Sequence, residues 1–319
     1  MGLSFLTPIA VLFGVLAALP LAALVGRRRR AEQVRIALGL ESSSHRSWLT
    51  LAICLAAVPV LVGVAAAQPV ITSARTVPQR SDVEVFVVVD TSRSMLASSG
   101  SGEPTRFQRA QEDVVALQDQ LRDVPLGIAS FTDRVLPHLF PTVDQRVFRE
   151  TTREALGVER PPPSTSFGTN VTSLDALGVV PTLAFFGPAA TKRALVVFTD
   201  GESQPVSTLA TDFAGEPRID VTFVRMGDGN ERIWETGVAE AGYTPDPNAT
   251  DTLAAGAAAV EGRVLDEGQV VEAAAAVRSA LGTGPTSPRR IEGNRQALMP
   301  YVALLAILPL GFVLYRRNL

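Results

Sequence analysis

Val83-Glu84-Val85-Phe86-Val87-Val88-Val89 runs directly into Asp90-Thr91-Ser92-Arg93-Ser94. The first part is a strand-length apolar run rich in β-branched residues, the pattern of a strand covered on both faces. It ends in a carboxylate followed by hydroxyls at alternate positions, a set of hard oxygen donors suited to Mg²⁺, Ca²⁺ or Mn²⁺ and poorly suited to zinc or copper. A second run, Ala194 to Thr199, leads into Asp200-Gly201-Glu202. Two such strands in a parallel sheet would bring both aspartates to one edge, where open α/β sheets bind ligands.

Around these strands the chain alternates strand-like and helix-like segments from Arg80 to about Gly284, which predicts a parallel sheet covered by helices. Phe107, Ala110, Val114, Leu117 and Leu121 share one helical face within 105–121. Leu126 to Phe131 reads as a strand, Arg134 to Phe140 as its hairpin partner, and Val147 to Leu156 as a helix. Pro161-Pro162-Pro163 opens a loop, 164–169, and a helix is expected from about Asn170. Val221 to Met226 is a further strand, 227–251 a loop with at most one short helix, 260–265 a last strand and 268–281 a last helix. The Gly-, Pro-, Ser- and Arg-containing piece from Gly282 to Arg295 reads as a tether.

The 319 residues carry a net charge of −3 and a mean hydropathy of +0.22, high for a soluble protein. The apolar excess lies in three uncharged stretches, Leu3 to Val25, Ser47 to Ala74 and Ala297 to Tyr315. Each has the roughly 20 residues that a bilayer crossing takes. Signal peptides carry positive charge before the apolar run, whereas here Arg27-Arg28-Arg29-Arg30 follows it, so the first stretch reads as a retained span. Those arginines, with Arg35 and Arg46, mark the first loop as cytoplasmic. The expected organisation is therefore a span over 1–26, a cytoplasmic basic loop over 27–46, a span over 47–74 and an outer domain over 82–284. A linker over 285–296, a span over 297–315 and a cytoplasmic tail over 316–319 complete it. Cys54, the only cysteine, falls inside the second span, and an outer domain without disulfides points to a bacterial inner membrane.

Asp90-x-Ser92-x-Ser94 resembles the metal-ion-dependent adhesion site of von Willebrand factor A domains. Gly168-Thr169-Asn170 is similar to that family's loop threonine, and Val196-Val197-Phe198-Thr199-Asp200-Gly201 to its aspartate-glycine after the fourth strand. The resemblance covers about two thirds of the chain and implies a Rossmann-like, doubly wound, mostly parallel sheet. It also implies that Ser92, Ser94 and Thr169 meet the metal directly, while Asp90 and Asp200 hold it mostly through water. Mg²⁺, or Mn²⁺ or Ca²⁺, would then keep a position open for an Asp or Glu carboxylate of a partner protein. Phe5-Leu6-Thr7-Pro8, the arginine block and the three spans resemble the Bat aerotolerance proteins of bacteria. That resemblance implies an extracytoplasmic interaction module in a cell-envelope or stress-tolerance complex. Its companions would be a MoxR-type AAA+ ATPase and other A-domain membrane proteins, with no nucleic acid.

Plainer roles exist for each residue alone. Asp90, Ser92 and Ser94 suit a helix cap, Asp200-Gly201 suits a turn, and Thr169 suits a cap. Together they favour the metal. Glu202 reads as a solvated loop carboxylate near the site, and His138 as a side chain that packs or faces water. No Gly-x-Ser-x-Gly elbow or Gly-Lys-Ser/Thr phosphate loop is present. Ser92 stands where an aspartyl-nucleophile phosphatase needs its second aspartate. The expectation is no enzyme activity; a scaffold with a vestigial metal site is the alternative, and a metal-dependent hydrolase a remoter one.

Overall fold

The computed structural model describes residues 2–12, 14, 16, 26–27, 30–31, 33–34, 37–38, 45–158 and 172–317. It divides into one unit of Met1–Thr76 with Arg290–Leu319 and a second of Val77–Arg289.

The strands in chain order are β1 (Gly2–Phe5), β2 (Pro69–Arg80), β3 (Val83–Asp90), β4 (Leu126–Phe131), β5 (Val135–Thr142), β6 (Lys192–Thr199) and β7 (Ile219–Arg225). They continue with β8 (Trp234–Glu235), β9 (Val238–Ala239), β10 (Arg263–Asp266) and β11 (Thr286–Ala297). The described helices are α1 (His45–Ala66), α2 (Arg106–Gln120), α3 (Gln145–Glu154), α4 (Val179–Thr182), α5 (Leu209–Asp212), α6 (Ala249–Ala259), α7 (Val270–Leu281) and α8 (Met299–Arg317).

In the first unit β1 pairs antiparallel with β2, Gly2 opposite Thr72 and Phe5 opposite Pro69, and β11 follows on the other side of β2. Two expectations change here. The helix of the second apolar stretch ends at Ala66, and residues after Pro69 run as strand. The predicted tether is the strand β11, because its backbone finds a partner in β2, distant in sequence. Among the described residues no helix is long and apolar enough to cross a membrane.

The second unit is built on a six-stranded sheet of order β10-β7-β6-β3-β4-β5, parallel except for the antiparallel edge strand β5. Strand β3 is central, and its side chains alternate between two cores. Val83, Val85, Val87 and Val89 meet α2, α3 and α7 on one face, while Phe86 and Val88 face the layer of α4, α5 and α6. Burial on both sides is why its sequence is almost continuously apolar. From β3 the chain adds β4 and β5 on one side, then crosses to build β6, β7 and β10 on the other. The carboxyl ends of β3 and β6 therefore flank the point where the strand order reverses, the place where such sheets open a binding crevice.

The helix expected from about Asn170 is, over the described residues, a 3₁₀ turn at Leu174–Gly178 followed by the one-turn α4, with Pro181 inside it. Residues 227–251 contain the β8–β9 hairpin, and α6 takes up 249–259, so that the last strand begins at Arg263 rather than at Val260.

Candidate metal centre

Val89 lies opposite Phe198 in the β3–β6 ladder, which leaves Asp90 level with Thr199 at the sheet edge. Asp90 is fully buried. Its Oδ1 accepts a hydrogen bond from the Ser92 amide at 2.9 Å, and its Oδ2 accepts one from Thr199 Oγ1 at 2.6 Å. Thr199 Oγ1 in turn accepts from the Gly201 amide at 3.1 Å, which fixes its proton toward Asp90. The chain turns after β3 into a 3₁₀ helix, Arg93–Leu96, with Ser92 at its N-cap in extended conformation. The Ser92 hydroxyl does not cap that helix; it lies 2.9 Å from Ser94 Oγ, and both serines are buried. The hydroxyls are thus paired with each other instead of being spent on the backbone.

Asp200 follows β6 directly and is also buried. Its Oδ1 accepts from the Glu202 amide at 3.0 Å and its Oδ2 from Arg106 Nη1 at 2.9 Å. Gly201 makes the turn with φ +80°, and a Cβ there would stand 2.6 Å from the Ala249 carbonyl oxygen. Only glycine meets both conditions without strain.

Burial and the neighbouring Asp200 charge push the Asp90 carboxyl up to about 7, against the hydrogen bonds from Thr199 and Ser92. Neutral donors alone thus leave this carboxylate under-compensated. Two carboxylates and two hydroxyls at one crevice are an all-oxygen donor set, and a hard divalent cation there would offset the charge that burial disfavours. The residues fit such an ion. Among the described residues no group of three or more His, Cys, Asp or Glu side chains is placed to hold a metal; the set here has two carboxylates and two hydroxyls. Thr169, the remaining expected ligand, lies outside the described residues.

Glu202 is not the solvated carboxylate the sequence suggests. Its Oε1 accepts from Tyr243 Oη at 2.7 Å and from Arg106 Nη1 at 2.9 Å. Burial and Asp200 raise its carboxyl above the ordinary range, and burial together with the bond to Glu202 raises the Tyr243 hydroxyl. Arg106, the first residue of α2, reaches beyond both, with Nε on Glu231 Oε2 at 2.6 Å and Nη2 on the Asp228 carbonyl at 2.9 Å. Burial works against its charge, but Asp200, Glu231, Tyr243 and Glu202 hold it above the ordinary arginine value. Arg109, one turn on, binds the other Glu231 oxygen at 2.6 Å and pairs with Glu267.

The segment after β7 closes over this cluster. Ser98 and Arg232 exchange backbone hydrogen bonds of 2.9 and 3.1 Å, and Trp234 Nε1 donates to the Ser98 carbonyl at 3.3 Å. Arg93, on the rim between the two serines, reaches Glu240 at 2.9 Å and Glu235 at 3.3 Å.

Of the residues singled out from sequence, Asp90, Ser92, Ser94 and Asp200 come to the same sheet edge. Arg106, Thr199, Glu231 and Tyr243 were missed. One signal pointed to Arg106: a cation in the first turn opposes the helix dipole, so its place there asks for a nearby anion. His138 is exposed on β5 and lies 2.8 Å from Ser130 Oγ across the β4–β5 pair.

No curated protein matches the chain. The chain is similar in structure to the conserved hypothetical protein BatB from Bacteroides thetaiotaomicron, with 18% identity, 63% of this chain and 100% of that chain covered, and a TM-score of 0.51. An aerotolerance-related membrane protein from Bacteroides fragilis shares 20% identity over 62% of this chain and 98% of its own, with a TM-score of 0.48. The manganese-loaded TRAP protein of Plasmodium vivax shares 13% identity over 70% and 83%, with a TM-score of 0.39. Residues 85–202, from the middle of β3 to just beyond Asp200, match the profile of one family. That family is the von Willebrand factor type A domain, whose model the stretch matches.

Proposed function

We propose that the A domain binds one divalent cation through Asp90, Ser92, Ser94, Thr169 and Asp200, and uses it to capture an acidic side chain of a partner protein. The observation that carries this reading is Asp90 itself. It is buried at the strand switch point and, among the described residues, is offered only the neutral donors of Ser92 and Thr199. The bound ion supplies positive charge and an exchangeable coordination position. The protein supplies the rest. Thr199 and the Ser92 amide orient Asp90, the 3₁₀ turn presents the serine hydroxyls, and the turn at Gly201 aims Asp200. Mg²⁺ is the ion best matched, since it keeps several waters and takes few carboxylates; Mn²⁺ serves as its probe, and Ca²⁺ is the third candidate.

In this reading helical segments within the apolar stretches 1–26, 47–74 and 297–315 anchor the chain in a bacterial inner membrane with the A domain outside. The basic loop 27–46 and tail 316–319 then face the cytoplasm, where a MoxR-type AAA+ ATPase would find its only sizeable surface. The role is assembly or stress tolerance in the cell envelope together with other A-domain membrane proteins, without enzyme activity. Support comes from the apolar stretches, the charge asymmetry of the loops and the similarity of the ends to Bat proteins.

Full-length protein in detergent tests the reading: partner capture is lost in EDTA, returns with Mg²⁺ or Mn²⁺, and fails in Ser92→Ala. Capture indifferent to all three would favour a scaffold with a vestigial site. A periplasmic reporter fused after Gly284 is expected to be active, and an inactive fusion would refute the orientation.

A further inference from the structure

Residues 82–284 carry 29 Asp and Glu against 16 Lys and Arg, a net charge of −13, while the rest of the chain carries 13 Lys and Arg against 3 Asp and Glu. The segment that closes over the metal crevice brings this acid excess to its rim. Residues 227–246 hold five acids, Asp228, Glu231, Glu235, Glu240 and Asp246, and one cation, Arg232. The cations around the crevice are already engaged. Arg232 donates to the Glu231 carbonyl at 2.9 Å, Arg106 and Arg109 share the Glu231 carboxylate, and Arg93 is held by Glu240 at 2.9 Å and Glu235 at 3.3 Å.

The β8–β9 hairpin sets these charges in place. Its two-residue turn, Thr236 and Gly237, has both φ values positive, +47° and +87°, the geometry that matches strand twist in a tight hairpin. At its base the Glu240 amide donates to the Ile233 carbonyl at 2.8 Å. Arg93, the residue between Ser92 and Ser94, joins the hairpin to the turn that carries the serine hydroxyls. Of its two acid partners Glu240 is the more covered, with a side chain 24% exposed, whereas Glu235 is 69% exposed and meets Arg93 at the longer distance.

A cation in the crevice can draw in one carboxylate, but further acids beside it would face a negative rim. Like charges across an interface cost affinity and slow encounter, and opposite charges do the reverse. Resting on the metal-site reading above, we infer that the partner presents its carboxylate from a basic surface, with Lys or Arg beside the acid, and that Glu235 is the specificity-determining residue that receives this cation. Glu240 occupies Arg93, so a second acid on the partner gains nothing there.

The test uses full-length protein in non-ionic detergent at pH 8, with Mn²⁺ binding followed by electron paramagnetic resonance. Three end-blocked, fluorophore-labelled peptides are titrated by anisotropy: Lys-Lys-Glu-Lys-Lys, Ser-Ser-Glu-Ser-Ser and Lys-Lys-Gln-Lys-Lys. In Mn²⁺ and low salt the lysine-flanked glutamate is expected to bind about threefold or more tighter than the serine-flanked one, the scale of one or two exposed charge pairs. High salt is expected to shrink this advantage, and the glutamine peptide to bind equally in Mn²⁺ and in EDTA. Glu235→Lys is expected to abolish the advantage and leave Mn²⁺ binding in place. Glu261→Lys makes the same charge change just before the amino end of β10, at the opposite edge of the sheet, and is expected to keep most of it. An advantage missing in wild type that binds Mn²⁺, surviving in Glu235→Lys, or lost equally in Glu261→Lys overturns this inference alone. A wild-type protein that binds no Mn²⁺ overturns the metal site and this inference with it.

Discussion

Thr199 Oγ1 donates to Asp90 Oδ2 at 2.6 Å, joining the ends of the two strands that carry the site's carboxylates. The bond sets the orientation of Asp90 before any ligand arrives. It also ties the centre to the sheet, because Thr199 and Asp90 are both buried strand termini. Thr199→Val keeps the shape and removes the donor. It is expected to cost about 1–3 kcal/mol of stability, the scale for leaving a buried acceptor unsatisfied, read as a lower denaturation midpoint in EDTA.

The raised Asp90 pKa would give binding of the proposed ion a pH dependence. In the unfolded chain this carboxyl titrates near 3.8, and in the metal-free fold near about 7. The folded value is the higher one, so the metal-free fold is favoured by this group below about pH 4 and loses that support as pH rises toward 7. A cation needs the deprotonated form, so its affinity climbs with pH up to about 7 and levels off above. The rise in melting temperature on adding Mn²⁺ is therefore expected to be larger at pH 8 than at pH 5.5. Equal shifts at both would contradict the assignment of Asp90 as the titrating ligand.

Gly227→Ala places a methyl group against Arg106 and Glu231 in a left-handed backbone conformation. The combined clash and strain are expected to cost a few kcal/mol, measured by thermal unfolding. Gly229→Ala, a nearby position where a Cβ meets nothing within 4 Å, is the control and is expected to change little.

Gly201→Ala meets the Ala249 carbonyl and the same backbone penalty. It is expected to weaken Mn²⁺ binding as well as stability, since the turn aims Asp200. A variant that loses stability and keeps full Mn²⁺ affinity would show that the turn does not position the ligand.

The strands that carry the site were readable because burial on both faces leaves a continuous apolar run, and Val85–Val89 and Ala194–Phe198 both have one. The clustering of Asp90, Ser92 and Ser94 at the sheet edge was readable because the three are local in sequence. Helix α2 was readable from its periodic apolar face, down to Thr105, whose side chain and that of Gln108 complete a capping box. Helix α6 was not, because its buried face is Leu253, Gly256 and Ala257 in a run of small residues with little apolar contrast. Strand β11 contains Pro288, Arg289 and Arg290 and owes its form to pairing with β2 rather than to its own propensity. Glu202 and Arg106 are 96 residues apart in sequence, and no local pattern joins them; only the fold makes one the partner of the other.

The central claim is that Asp90 and its neighbours hold one divalent ion. Mn²⁺ titration of the full-length protein at pH 8, followed by electron paramagnetic resonance, tests it most directly. The account predicts one saturable site per chain that disappears in Asp90→Asn and in Ser92→Ala while circular dichroism stays that of the wild type. Binding that persists unchanged in both variants, or no binding in wild type, would contradict it.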